Sequence, residues 1–92
     1  MRKIIKVQLF PCHCGTWIVD LWYEPVPGQP DKQEHAFEAV TVGAAMHLCS
    51  HALGDVRMAV YDRATDTYKG AEDANFIVTG SHAFCSECRP RT

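Results

Sequence analysis

The chain predicts a small α+β domain: an antiparallel β-sheet of about four to five strands with one helix packed on a face, its N- and C-terminal cysteine pairs clamped together. Three observations carry this. Residues 2–10, 16–23 and 56–61 alternate with the period of two that a half-buried strand needs. Residues 42–53 instead repeat apolar side chains at three- and four-residue steps, the period of an amphipathic helix. Cys12-His13-Cys14 near the beginning and Cys85-Ser86-Glu87-Cys88 near the end form two close cysteine pairs about seventy residues apart.

Residues 2–10 place Lys3, Ile5, Val7 and Leu9 on one face and Ile4, Lys6, Gln8 and Phe10 on the other. The β-branched content favours a strand with one apolar face. Pro11 ends it, and the Cys-His-Cys-Gly turn leads into Thr16–Tyr23, where Trp17, Val19, Leu21 and Tyr23 oppose Thr16, Ile18, Asp20 and Trp22. The first cysteine pair is therefore expected at the tip of a β-hairpin. Residues 24–33 carry Pro25, Pro27, Gly28 and Pro30, which no regular element accommodates, and they read as an exposed, contact-prone loop.

A short strand is expected over 34–40. Thr41 then suits the N-cap of a helix over Val42–Leu53, closed by Gly54. Its apolar stripe is Val42, Ala45, Met46, Cys49 and Leu53, and Gly43, Ala44 and Ala52 allow close approach to a sheet. Val56, Met58 and Val60 share one face of the next strand, Asp62–Asp66 is turn chemistry, and Thr67–Lys69 begins a return. After a break over 70–74, Asn75–Gly80 reads as a further apolar strand. The tail Arg89–Thr92 is basic and expected to fray.

Composition limits the function. At 92 residues there is room for a single domain spanning 1–92, small enough that a metal cross-link adds useful stability. A hydrophobic fraction of 47% with 22% charged residues is that of a globular chain rather than a disordered one. The net charge of −2 argues against a domain that wraps phosphates unaided. No apolar stretch approaches the roughly eighteen residues of a spanning helix, so no membrane partner is expected. Met1-Arg2-Lys3 runs directly into the first strand without a secretory leader, which points to a reducing, cytoplasmic setting.

Two tight thiol pairs on turns are what a tetrahedral zinc ion needs, because one bend in the backbone aims two sulfurs at the same point. Cys12, Cys14, Cys85 and Cys88 are the expected ligands of a structural zinc, with Gly15 easing the first turn. Competing readings are disulfides, disfavoured in a reducing compartment, a redox dithiol, disfavoured near a C-terminal tail, and four plain thiols. Cys49 reads as a buried small hydrophobe. His47 and His51 lie one helical turn apart and could share a metal, but two histidines on a solvated helix flank is the plainer reading.

Four thiolates saturate the ion, so the expected protein is a non-enzymatic binding protein with no small-molecule substrate. Cys49 and His47 do not face each other on a helix, and no nucleophile elbow or phosphate loop is present. With Trp17 and Tyr23 in the core, Trp22 falls on the outer face beside Ile18. These two, with Arg89 and Arg91, are the expected partner contacts.

The C-x-C-G and C-x-x-C turns resemble the knuckles of zinc ribbons, departing from the usual C-x-x-C at the first. That resemblance implies, as the alternative, an accessory protein that binds RNA or DNA. As a whole the small acidic α+β chain resembles the accessory proteins of bacteriophages, among them anti-CRISPR inhibitors. This second resemblance implies an inhibitor or adaptor that docks on a host nucleoprotein complex, such as a CRISPR surveillance complex, and blocks its nucleic-acid target. The aromatic hairpin and proline loop would then meet protein, and Arg89 and Arg91 would touch guide RNA or a Cas subunit.

Overall fold

The computed structural model describes residues 3–89. Arg91 and the rest of the tail after Arg89 lie outside the described residues. The elements in order are β1 (Ile4–Pro11), β2 (Trp17–Tyr23), β3 (Lys32–Ala39), α1 (Val42–Leu53), β4 (Met58–Asp62), β5 (Thr67–Gly70) and β6 (Phe76–Val78). The strands form one six-stranded sheet in the order β3-β2-β1-β6-β4-β5. The α+β class and the helix on one face are as the sequence predicts. The sheet is larger than expected, and it is mixed: β6 pairs in parallel with both β1 and β4.

The direction of β6 follows from where β5 ends. Gly70 pairs with Ala59 near the start of β4. Residues 71–75 therefore need only round that start to enter the sheet on the other side of β4, running the same way as β4. Asn75 holds this corner. Its backbone N–H donates to the Arg57 carbonyl (2.9 Å) and its carbonyl accepts from the Val7 N–H (2.8 Å). Its side chain accepts from the Arg57 N–H (2.8 Å) and donates to the Asp55 carbonyl (2.9 Å). Buried at 6% exposure, it leaves no polar group unmatched. Gly70 is required in the same corner, because with φ 129° any Cβ there would collide with the Met58 carbonyl.

Val7, Leu9, Val19, Leu21, Phe76 and Val78 meet Ala45, Cys49 and Leu53 of α1 in the main core. Ala45, fully buried, brings the helix close to the sheet. Thr41 caps α1 by accepting from the Ala44 N–H (2.9 Å), and Gly54 at φ 73° closes it with a bond to the Ser50 carbonyl (3.0 Å).

One expected face needs correction. Ile4 pairs with Tyr23 and Lys6 with Trp22, so Ile5 is a bulge residue with no partner of its own. The bulge turns Ile4 onto the core and leaves Ile5 45% exposed. β3 also starts earlier than expected, and the exposed loop shortens to 24–31.

A second cluster lies on the opposite face of the sheet, where Ile18 packs against Cys12 and Cys85 with Phe10, Ala83 and Cys88 around them. The corner should be decisive for stability. Asn75→Ala strands the Arg57 N–H and the Asp55 carbonyl, and should cost about 2 kcal/mol, read as a lower urea midpoint at unchanged slope.

Candidate metal centre

Pro11 ends β1, and the next residues turn back at once: the Cys12 N–H donates to the Thr16 carbonyl (2.8 Å) and the Gly15 N–H to the Cys12 carbonyl (2.9 Å). Gly15 takes φ 97°, a conformation side chains rarely adopt. The second turn is built alike, with the Cys85 carbonyl accepting from the Cys88 (3.1 Å) and Arg89 (2.9 Å) N–H groups.

What brings the two turns together is the β1–β6 pairing. Parallel neighbours end at the same edge of a sheet, so the segments that leave them emerge side by side. The Thr79 N–H and hydroxyl both donate to the Leu9 carbonyl (2.9 Å each), and the Ala83 N–H donates to the Pro11 carbonyl (3.0 Å). These bonds run the chain after β6 along the end of β1 and deliver Cys85 to Cys12.

The Cys14 sulfur lies 3.4 Å from that of Cys12 and 3.6 Å from that of Cys85. All four sulfurs lie within 4.8 Å of one another. A tetrahedral ion with metal–sulfur bonds of about 2.3 Å places its ligands about 3.8 Å apart, so the cluster has the size of a four-thiolate cage. The spacing exceeds the roughly 2.05 Å of a disulfide, and all five cysteines are free. The four clustered thiols could hold a metal ion.

Their acidities show how strongly the cluster responds to charge. Hydrogen bonds from the Thr16 side chain and backbone, helped by Cys12 and Cys85, hold the Cys14 thiol at about 6. Cys88 is pushed strongly up by its hydrogen bonds to Cys85, Cys14 and Cys12. Four sulfurs this close cannot all ionise unless a cation sits among them, and a bound cation reverses that preference.

The second turn is also tied to the sheet edge. Glu38 of β3 accepts from the Ser86 N–H (2.9 Å) and from His35 Nε2 (2.6 Å), and these two contacts, the histidine's first, hold its carboxyl below the usual range. Arg89 donates to His35 Nδ1 at 2.7 Å. Because a guanidinium only donates, Nδ1 must be the acceptor and Nε2 carries the proton given to Glu38. His35 itself sits at φ 51° in a bulge of β3, where Asp20 Oδ1 accepts its N–H (2.8 Å). Glu38 and His35 escaped the sequence reading, since nothing local marks a residue that serves a turn 48 positions away.

The expected partner contacts fare unequally. Ile18 is only 3% exposed, packed beneath Cys12, Cys85 and Phe10, so it belongs to the cysteine-side core and is no partner contact. Trp17 and Tyr23 do pack on the helix-side core, and Trp22 does lie on the outer face. Its ring is covered, however, by the Lys6 (4.3 Å) and Lys32 (4.9 Å) ammonium groups, and its Nε1 donates to Gln8 (3.2 Å). Trp22 is therefore a packed part of the sheet surface rather than a bare anchor.

Arg89 is exposed beside the second turn, whereas Arg91 lies outside the described residues. His47 and His51 are exposed on α1, across the sheet from the sulfurs, and take no part in the cluster. Cys49 is 2% exposed, and burial raises its thiol. Among the exposed aromatics is Phe84, 51% exposed and edge-on to His13 with ring centres 6.0 Å apart, which no local pattern marks.

A scan against protein-family models and searches of curated proteins and solved structures return no match to this chain.

Two outcomes follow from this geometry. Glu38→Ala, by freeing the second turn, should weaken metal retention against a chelator about tenfold, while His47→Gln combined with His51→Gln leaves it unchanged. In metal-free protein, alkylation mapped by mass spectrometry should strike Cys14 first and stay fast until the pH falls below about 6, because its thiolate persists to that point.

Proposed function

We propose that this chain is a non-enzymatic binding protein whose cysteines hold one structural zinc and whose cysteine-side face docks on a protein or nucleoprotein assembly. The observation that carries the reading is the four-thiol cage: four sulfurs complete a tetrahedron and leave no position for water or substrate. Zinc suits four thiolates without strain and has no redox chemistry of its own.

Support against catalysis comes from the other reactive groups. Cys49 is buried, and burial raises its thiol, the opposite of what an activated nucleophile needs. The His35–Glu38 pair resembles a catalytic dyad, but its second ring nitrogen is taken by Arg89 and cannot draw a proton from a nucleophile.

Protein docking is favoured over a nucleic-acid track because three of the cations already face carboxylates. Lys32 faces Asp20 and Glu34, Arg57 faces Asp55 and Asp73, and Lys69 faces Asp62. As partner class we propose the one implied by the resemblance to phage accessory proteins, a host nucleoprotein complex whose nucleic-acid target is blocked. The reduced thiols suit a cytoplasmic setting, and among the described residues no helix is long and apolar enough to cross a membrane. One observation favours the alternative of direct RNA or DNA binding: the exposed Phe84 ring, edge-on to His13, lines the same cleft as Arg89, and bases stack on such surfaces.

Elemental analysis should find one zinc per chain, and its removal by a chelator should lower the melting temperature. Iron in its place, visible by thiolate-to-metal absorption, would replace the metal, and a folded, metal-free purified protein would remove it from the proposal. Affinity capture from host extract should retain a protein partner after nuclease treatment. Capture that disappears with nuclease would select the nucleic-acid alternative.

A further inference from the structure

On the cysteine side a cleft of 440 Å³ opens between the β2–β3 pair and residues 81–84. The buried Ile18 and Asp20 lie at its floor, Phe10, Ala83 and the exposed Phe84 add apolar lining, and Lys32, Arg89 and Glu34 line it with charge. Asp20 is buried at 7% exposure, with Oδ1 bound to the His35 N–H (2.8 Å) and Oδ2 3.7 Å from the Lys32 ammonium. That ammonium is also 3.4 Å from Glu34, so the two carboxylates already share a cation.

Arg89 differs. Among the described residues no carboxylate pairs with it, and its guanidinium is held by His35, which Glu38 holds in turn. An arginine whose orientation is set by a histidine acceptor and which lines a partly apolar cleft is ready for a planar anion.

We propose that this cleft is the docking site for a protein partner's acidic–apolar segment: an apolar side chain rests on the floor against Phe84, and a neighbouring carboxylate pairs with Arg89. The inference rests on the binding-protein reading above and names the partner's chemistry. One carboxylate matches one unpaired guanidinium. A run of phosphates does not, because each further charge would meet Asp20 and Glu34 in a cleft whose two cations are balanced by two carboxylates. The second cysteine turn has a direct part in this, since Arg89 follows Cys88 and its N–H donates to the Cys85 carbonyl (2.9 Å), so an ion held by the turn would fix the backbone from which the guanidinium starts.

The test uses isotope-labelled, zinc-loaded protein titrated with a blocked peptide alternating Phe and Glu. Amide shifts should concentrate at residues 81–84, His35 and Arg89, and saturate. The same peptide with Gln for Glu should bind about tenfold more weakly, as should the acidic peptide to the Arg89→Gln variant, each having lost one charge-assisted pair. Phe84→Ala should weaken both peptides alike.

Equal affinity of the two peptides, undiminished binding to Arg89→Gln, or shifts absent from the cleft would overturn the proposal. So would a thymidine dinucleotide that shifts the same amides more tightly than the acidic peptide. The parent reading fails separately: if the wild-type chain retains no protein partner from host extract, the binding reading falls. A partner held equally by wild type, Arg89→Gln and Phe84→Ala refutes the cleft alone.

Discussion

The parallel pairing of β6 with β1 is the constraint on which the rest depends. Had β6 run the other way, its C-terminal end would point to the opposite edge of the sheet and the second cysteine pair would emerge a strand length from the first. Three backbone and side-chain bonds, from Thr79 and Ala83 to Leu9 and Pro11, extend that pairing past the last ladder residue. The clustering of the four thiols is thus a consequence of sheet topology. Closing a loop of this length by metal alone would carry the full chain-entropy cost, which grows only slowly with length but is large at the outset. Here the sheet bears that cost, and a bound ion would lock turns already in place.

The same topology gives the sheet two unlike faces. The helix side is an ordinary core of Val, Leu, Phe and Ala, closed by a helix whose buried positions are small. Among the described residues no helix covers the other side. It is covered in part by the cysteine turns over Ile18 and in part by long side chains, Lys6 and Lys32 laid across Trp22. Lysine stems shield apolar surface while their charges stay in water, so an aromatic that reads as exposed in sequence is covered by the chain's own side chains. The cleft lies between these two kinds of cover.

The polar network beside the cage shows how an edge strand serves a distant turn. The bulge in β3 removes one ladder position and puts His35 at positive φ, and the buried Asp20 supplies the acceptor that the ladder lacks. Turned by the bulge, His35 reaches Glu38 on one side and Arg89 on the other, and Glu38 receives the Ser86 N–H. Irregular backbone here orders side chains that a regular strand would point elsewhere.

Local pattern in the sequence determined the α+β class, the helix with its caps, the hairpin carrying Cys12 and Cys14, and the presence of two close cysteine pairs on turns. Each is set by period, turn chemistry or thiol count, which neighbouring residues express directly. Tertiary structure alone decided the parallel direction of β6, the bulge that exchanges Ile4 for Ile5, the burial of Ile18, the cover over Trp22 and the Glu38–His35–Arg89 chain. Alternation says that a side chain faces one side of a strand, but not which strand lies beside it or what covers that side. Those depend on contacts between residues far apart in the chain, and no local pattern records them.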